Sequence, residues 1–442
     1  MRSQATEKRL MSLSRRNLLI GGAGLAAGAG LLGTQAQAQS MFTPEKGAEL
    51  RVLRWSPFVK SEEEQWLANT KKFTDATGIP VRIDKESWED IRPKAAVAAN
   101  VGSGPDIVLV WFDDPFQYSD KLIDVTPLAD YLGKKYGGWY PGLAEYAKLN
   151  DKFIALPIAT ISNAILYRES WMKEAGWSSF PTKTDDFLEL CKALKAKGHP
   201  AGFAHGHAVG DGNNYAHWLL WSHGGQMVDE KGKVVLNSPE TIKSIKYASD
   251  LYKTFIPGTE SWGDVNNNRA FLAGEISLTA NGISLYATAR NDPKMQDMAN
   301  DIKTANLPVG PVGKPIELFQ VTSAVTFKHT KYPQAAQAYL QFMFEAPQMP
   351  DWIKASSAYC CQSLKAYADN PIWTADPNNV PYARASATIR PNGYAGPLGA
   401  ASAAAMADYI LVDMYAEAVT GQRSPEEAAK RADTRARRYY KA

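Results

Sequence analysis

The chain reads as an α/β protein of two lobes, and three observations lead there. Its 442 residues exceed what one ordinary hydrophobic core holds. Strand-like and helix-like stretches alternate from residue 49 onward, the pattern of a parallel sheet with helical crossovers. The composition is that of a globular protein, 45% hydrophobic and 21% charged.

Each element has its own signal. "ELRVLRWSPF" is a strand running into Trp55, Ser56, Pro57 and Phe58. "SEEEQWLANTKKFTDATG" is a helix with a Ser cap, early Glu, late Lys and a stop at Gly78. "IPVRIDKE" is a strand, "SWEDIRPKAAVAANVGSG" a helix with Pro93 in its early turns, and "PDIVLVW" a third strand. Short helical turns follow over 122–136, then the strand "DKFIALPIAT". "NAILYRESWMKEAG" begins as strand and passes into helix. "PTKTDDFLELCKALKAKG", the aromatic "NNYAHWLLWSHGG", "SPETIKSIKYASDLYKTF" and "NRAFLAGE" are helices, and "ISLTANG" is a strand. "PQAAQAYLQFMFE", "PQMPDWIKASSAY", "SAAAMADYILVDMYAEAVTG" and "SPEEAAKRADTRARRYYK" make the C-terminal half helical. No internal repeat marks a solenoid.

The N-terminus reads as a targeting segment rather than part of the fold. Arg2, Lys8, Arg9, Arg15 and Arg16 precede a mild Gly/Ala/Leu stretch over 18–33, and Ala36-Gln37-Ala38 is a small-x-small cleavage site. "SRRNLL" resembles a twin-arginine export signal. Met11 would serve as a start that leaves it intact. Sixteen residues rich in Gly fall short of the ~20 apolar residues of a membrane span. Gly22-x-Gly24-x-x-Ala27 mimics a dinucleotide fingerprint, but it follows no strand and is rejected.

Residues 1–38 hold five of the Lys and Arg and one Glu, so cleavage leaves 44 basic against 45 acidic residues. That balance indicates no nucleic-acid partner. Cys191 lies on the apolar side of a helical pattern and reads as a buried small hydrophobe. Cys360 and Cys361 are adjacent; two free or separately buried thiols are favoured over a strained bridge between neighbours.

Catalytic signatures are absent: no G-x-S-x-G, H-E-x-x-H, C-x-x-C or Walker loop. Asp113 and Asp114 are neighbours in one loop and diverge, whereas glycoside hydrolysis needs two carboxyls facing across a bond. His205, His207, His217 and His223 gather around Asp211, but their spacing matches no common zinc pattern. They read as polar residues of a loop and an aromatic helix, so no metal and no cofactor are expected.

In a parallel α/β sheet ligands bind beyond the carboxyl ends of the strands. Trp55, Ser56 and Phe58 lie at one such end; Trp111, Phe112, Asp113 and Asp114 lie at another. Aromatic faces stack on the C–H faces of sugar rings, and carboxylates accept from their hydroxyls. The alternative is that Trp111 and Phe112 cap the core of their own lobe.

These stretches resemble the extracellular solute-binding proteins of sugar ABC transporters, the group that includes maltose-binding protein. The likeness is carried in order by "GSGPDIVLVWFDD", "FIALPIATISNAILYRESWMKEAG", "PTKTDDFLELCKALK", "GGQMVDEKGKVVLNSPE", "FLAGEISLTANG", "LPVGPVGKPIELFQVTSAVTFKHTKYPQAAQAYLQFM" and "AVTGQRSPEEAAKRA". It implies a periplasmic-binding-protein fold with a ligand cleft between lobes and several chain crossings at a hinge. The lobes would be 40–158 plus 313–361, and 159–312 plus 362–442.

The resemblance also implies ligand capture by lobe closure without catalysis, in the periplasm, by a monomer that delivers to permease subunits in the inner membrane. Position by position it adds Thr160, Ser162 and Asn163 at the crossing, Asn281 and Gly282 in a later loop, and Gln320, Asn392 and Tyr394. Ile283, Ser284 and Leu285 follow Gly282 where maltose-binding protein has ring-stacking tryptophans. That departure favours a monosaccharide, polyol, sugar derivative or disaccharide over a long glucan. A polyamine, a glycerol phosphodiester or a secreted carbohydrate-active enzyme stand as the alternatives.

Overall fold

A computed structural model describes residues 40–441, and the export signal expected within 1–38 lies outside them. The first α/β unit forms as its sequence dictates. Strand β1 (Leu50–Trp55) leads through the helix Lys60–Thr77 to β2 (Val81–Glu86), and the helix Ile91–Val101 leads on to β3 (Ile107–Trp111). β1 lies between its two neighbours and pairs in parallel with both. Both helices stop at a glycine in the left-handed region, Gly78 at φ 73° and Gly102 at φ 69°, where a Cβ would be strained. The first helix starts at Lys60 rather than after a Ser cap; Ser61 Oγ instead donates to the Ala355 carbonyl at 2.7 Å.

The remaining strands are β4 (Lys148–Leu149), β5 (Lys152–Phe153), β6 (Leu156–Ile161), β7 (Ala164–Arg168), β8 (Leu278–Asn281), β9 (Ile302–Ala305), β10 (Gln320–Thr326) and β11 (Cys360–Gln362). A six-stranded sheet runs β11-β6-β10-β3-β1-β2, and a three-stranded sheet runs β8-β7-β9. β4 and β5 pair only with each other. The large sheet is mixed: β10 enters antiparallel between β3 and β6, and β11 adds antiparallel to β6. Neither β10 nor β11 was expected as a strand. β10 is buried along its whole length yet carries Thr322, Ser323 and Thr326, which dilutes the apolar run that marks a buried strand. β11 has only three residues.

The helix Lys60–Thr77 packs on the helix Gln348–Ala355. Between them Arg54 Nη2 meets Glu62 Oε2 at 2.6 Å with both side chains buried, and Trp352 Nε1 donates to Glu62 Oε1 at 2.6 Å. Removing one partner of such a pair leaves an uncompensated buried charge, which costs about 3–5 kcal/mol. Around the small sheet, the helices Asp211–Ser222, Pro239–Tyr252, Ile410–Val419 and Pro425–Ala436 pack together. On its way to them the chain lays the helix Ala400–Ala407 against the turns of Asp114–Lys121, on the large-sheet side.

One expected helix is divided. The stretch 402–421 breaks at Tyr409, which is left-handed at φ 49° and stacks its ring on His207 at 4.3 Å. His207 in turn contacts Asp413 at 2.7 Å. That side-chain cluster fixes the break.

Candidate functional site

β6 ends at Ile161 and β7 begins at Ala164, so Ser162 and Asn163 carry the chain from one sheet to the other. Beside this crossing lies a narrow cleft. It is lined from the large-sheet side by Phe58, Trp88, Gln320 and Tyr359, and from the small-sheet side by Gly210, Asp211, Asn214, Asp264, Asn268, Asn281, Gly282 and Ser284.

The small-sheet wall is built on the N-terminus of the helix Asp211–Ser222. Asp264 accepts from three successive backbone N–H groups: Val209 at 2.7 Å, Gly210 at 3.1 Å and Asp211 at 2.8 Å. These donors have no partner within the helix, and the helix dipole adds to the attraction for a carboxylate. Asp211 itself accepts from Asn163 Nδ2 at 3.0 Å and Asn267 Nδ2 at 2.8 Å. Asn281 donates to Asn268 Oδ1. Burial, and next the charge of Asp264, push the Asp211 carboxyl well above its ordinary range. Burial pushes Asp264 up to about 7 against the pull of its three N–H donors.

The opposite wall is aromatic and layered. Trp88 stacks on Trp111 at 3.9 Å and meets Trp55 edge-on at 5.7 Å; Phe58 meets Trp88 at 5.3 Å and Tyr359 at 6.2 Å. Trp111 Nε1 donates to the Trp88 carbonyl at 3.1 Å. Trp55 and Trp111 thus back the wall, and Phe58, Trp88 and Tyr359 face the cleft.

Of the residues expected from the sequence, Phe58, Ser162, Asn163, Asn281, Gly282 and Gln320 come together here. The others lie elsewhere. Trp55, Trp111 and Phe112 are fully buried, and Ser56 is exposed. Phe112 takes a left-handed φ of 45°, and after it the two aspartates find different partners. Asp113 accepts from Asn392 Nδ2 at 3.0 Å and from Ser402 Oγ, while Asp114 accepts from Arg92 Nε at 2.8 Å. Thr160 bonds to Ser386 at 3.0 Å, and Tyr394 packs edge-on against Trp221 at 5.6 Å. The four histidines do not converge: His205 packs on Tyr215, His207 on Tyr409, His217 on Trp221 and His223 on Tyr247.

Sequence reasoning missed Trp88, Tyr359, Asp211, Asn214, Asp264 and Asn268. A signal was present for Asp211, Asn214 and Asp264. "GDGNN" at 210–214 and "GDVNN" at 263–267 are two copies of Gly-Asp-x-Asn-Asn. The structure brings the two copies face to face, with Asp264 of one capping the helix that Asp211 of the other begins.

Five buried polar atoms of the lining residues have no hydrogen-bond partner among the described residues: Ser162 Oγ, Asn163 Oδ1, Asn214 Oδ1, Gln320 Nε2 and Trp88 Nε1. Buried polar groups in folded proteins are nearly always paired, so these are groups a ligand can satisfy. Donors and acceptors are mixed, and no Lys or Arg lines the cleft.

The architecture and the cleft define a two-lobed α/β binding protein. Residues 68–381 match the family of bacterial extracellular solute-binding proteins, and the chain belongs to that family. It is 23% identical to the "Probable ABC transporter-binding protein" of Deinococcus radiodurans, over 63% of this chain and 69% of the relative. Its fold matches maltose-bound MalE3 of T. maritima with a TM-score of 0.77 at 21% identity, over 88% of this chain and 99% of the other. It also matches an ABC transporter solute-binding protein of Agrobacterium radiobacter K84 in complex with ribitol, with a TM-score of 0.74 at 16% identity, over 90% of this chain and all of the other (100%).

Proposed function

We propose that this protein is the exported, monomeric binding component of a carbohydrate ABC importer, and that it captures a small, neutral polyhydroxy ligand in the cleft beside Ser162 and Asn163. The carrying observation is the mixed set of unpartnered donors and acceptors opposite an aromatic wall. A hydroxyl both gives and takes a hydrogen bond, so a sugar or polyol meets such a set, while its C–H face lies on Phe58, Trp88 or Tyr359.

Charge argues against the competing ligands. An anionic phosphodiester would meet Asp211 and Asp264 and no basic lining residue. A polyamine would need a carboxylate to pair with, but both carboxylates are taken up by internal donors. The lobe bounds that the resemblance implies, 40–158 plus 313–361 and 159–312 plus 362–442, cut β6 and β11 of the large sheet and leave the helix Ala400–Ala407 on the large-sheet side; the closed form then docks on permease subunits in the inner membrane. Closure about a hinge needs only a few residues to absorb the backbone change. Ser162 and Asn163, between β6 and β7, are one such place.

A thermal-shift screen tests this. Neutral monosaccharides and polyols are expected to raise the melting temperature, because a ligand at a hundredfold excess over Kd stabilises by about 2.7 kcal/mol. Sugar phosphates, uronates and polyamines are expected to leave it unchanged. Stabilisation by a charged series alone, or turnover of an oligosaccharide, overturns the reading.

A further inference from the structure

The cleft is narrow because two glycines let backbone from the small-sheet side come against side chains of the large-sheet side. A Cβ at Gly210 would lie 2.6 Å from Gln320 Oε1 and 3.3 Å from Asp264 Oδ1. A Cβ at Gly282 would lie 3.0 Å from Tyr359 Cε2 and 3.4 Å from its Cδ2. Gln320 and Tyr359 are 1% and 5% exposed and line the cleft, so the space open to either side chain is the cleft itself.

Neither glycine is required by its backbone conformation. Gly210 has φ −89°, open to any residue, and Gly282 is not among the glycines of positive φ. What both supply is the absence of a side chain. The four partners also sit on firm supports. Gly210 precedes the helix Asp211–Ser222, Gly282 follows β8, Gln320 begins β10, and Tyr359 precedes β11. A contact between such supports acts as a stop.

We propose that Gly210 and Gly282 are specificity-determining positions: their bare backbone, seated against Gln320 and Tyr359, lets the lobes close to the width of a single sugar ring or acyclic polyol and excludes a disaccharide. This rests on the reading of the cleft as a polyhydroxy-ligand site. Any larger residue at either position props the lobes apart or pushes Gln320 or Tyr359 into the cleft. The unpartnered Gln320 Nε2 and Trp88 Nε1 on one side, and Asn163 Oδ1 and Asn214 Oδ1 on the other, would then no longer reach one small ligand together.

Titration calorimetry on the exported protein and its Gly210→Ala and Gly282→Ala variants tests it, with ribitol, D-mannitol, D-glucose and maltose as probes. The wild type is expected to bind at least one of the first three and not maltose. Each variant is expected to lose tenfold or more in affinity for that small probe, with an apo melting temperature close to wild type. If Gly210→Ala lowers the apo melting temperature by crowding Asp264, Gly282→Ala decides the matter alone. Unchanged small-probe affinity in Gly282→Ala, or maltose binding by the wild type, overturns the closure limit while leaving the binding function in place. A wild type that binds none of the four overturns the reading of the cleft and the closure limit with it.

Discussion

Asp113 combines a buried carboxyl with two hydrogen-bond donors that arrive from the far end of the chain, Asn392 and Ser402. Burial pushes it from 3.8 up to about 7 despite those donors. The folded chain therefore binds a proton there that the unfolded chain has released. This contribution to stability is complete below the ordinary value of 3.8 and is lost as pH rises towards about 7. Asp113→Asn keeps the neutral pattern at every pH: its oxygen accepts from Asn392, and its amide donates to Ser402, whose hydroxyl turns to the Gly399 carbonyl at 3.0 Å. The melting temperature of the variant, relative to wild type, is expected to be higher at pH 8 than at pH 5. Equal pH slopes for the two proteins refute this. The acidic pair and its aromatic neighbours stand out in the sequence as chemistry. Where Asp113 would point was not legible, because its partners lie 279 and 289 residues away.

Among the elements, the helix Asp211–Ser222 brings Asp211 and Asn214 to the cleft, and its start depends on one side chain outside it. Asp264→Ala would strip three N–H groups of their acceptor in a buried setting. The expected loss is about 1–3 kcal/mol in urea unfolding of the apo protein. Ligand affinity is expected to weaken as well, since Asp211 and Asn214 move with the helix end. Asp264→Asn, which keeps an acceptor oxygen, should restore part of both. An apo stability within ~0.5 kcal/mol of wild type would assign Asp264 no anchoring role. The helix itself was legible from its aromatic run, and the repeated Gly-Asp-x-Asn-Asn was visible although its pairing was not. The break at Tyr409 was hidden, because 402–421 has continuous helix formers and only the contact with His207 distinguishes one residue among them.

At the scale of the whole molecule, the three cysteines lie in two separate elements. Cys191 lies in the helix Thr184–Ala196, and Cys360 and Cys361 lie in β11; all three are buried and unbridged. Successive strand residues face opposite sides of a sheet, which separates the neighbouring thiols. Cys361 Sγ donates to the Tyr382 carbonyl at 3.1 Å. Burial also pushes every one of the thiols above its ordinary range. An aromatic disulfide reagent is therefore expected to find no reactive thiol in the native protein and all three in urea without reductant. A single reactive thiol in urea would mean that Cys360 and Cys361 are bridged.

The sequence by itself determined what depends on local periodicity and on the order of signals along the chain. The parallel unit β1–β2–β3, the helix stop at Gly78 and the family are of that kind. Only the tertiary structure decided what depends on distance in space. It placed the half-polar β10 at the centre of the large sheet, moved Trp55 and Trp111 behind the aromatic wall, and brought Trp88 and Tyr359 to its face. It also set Gly210 against Gln320 and Gly282 against Tyr359. The reason is that an aromatic or a glycine has the same local signature whether it supports a wall or faces a ligand, and the difference arises only when remote segments pack.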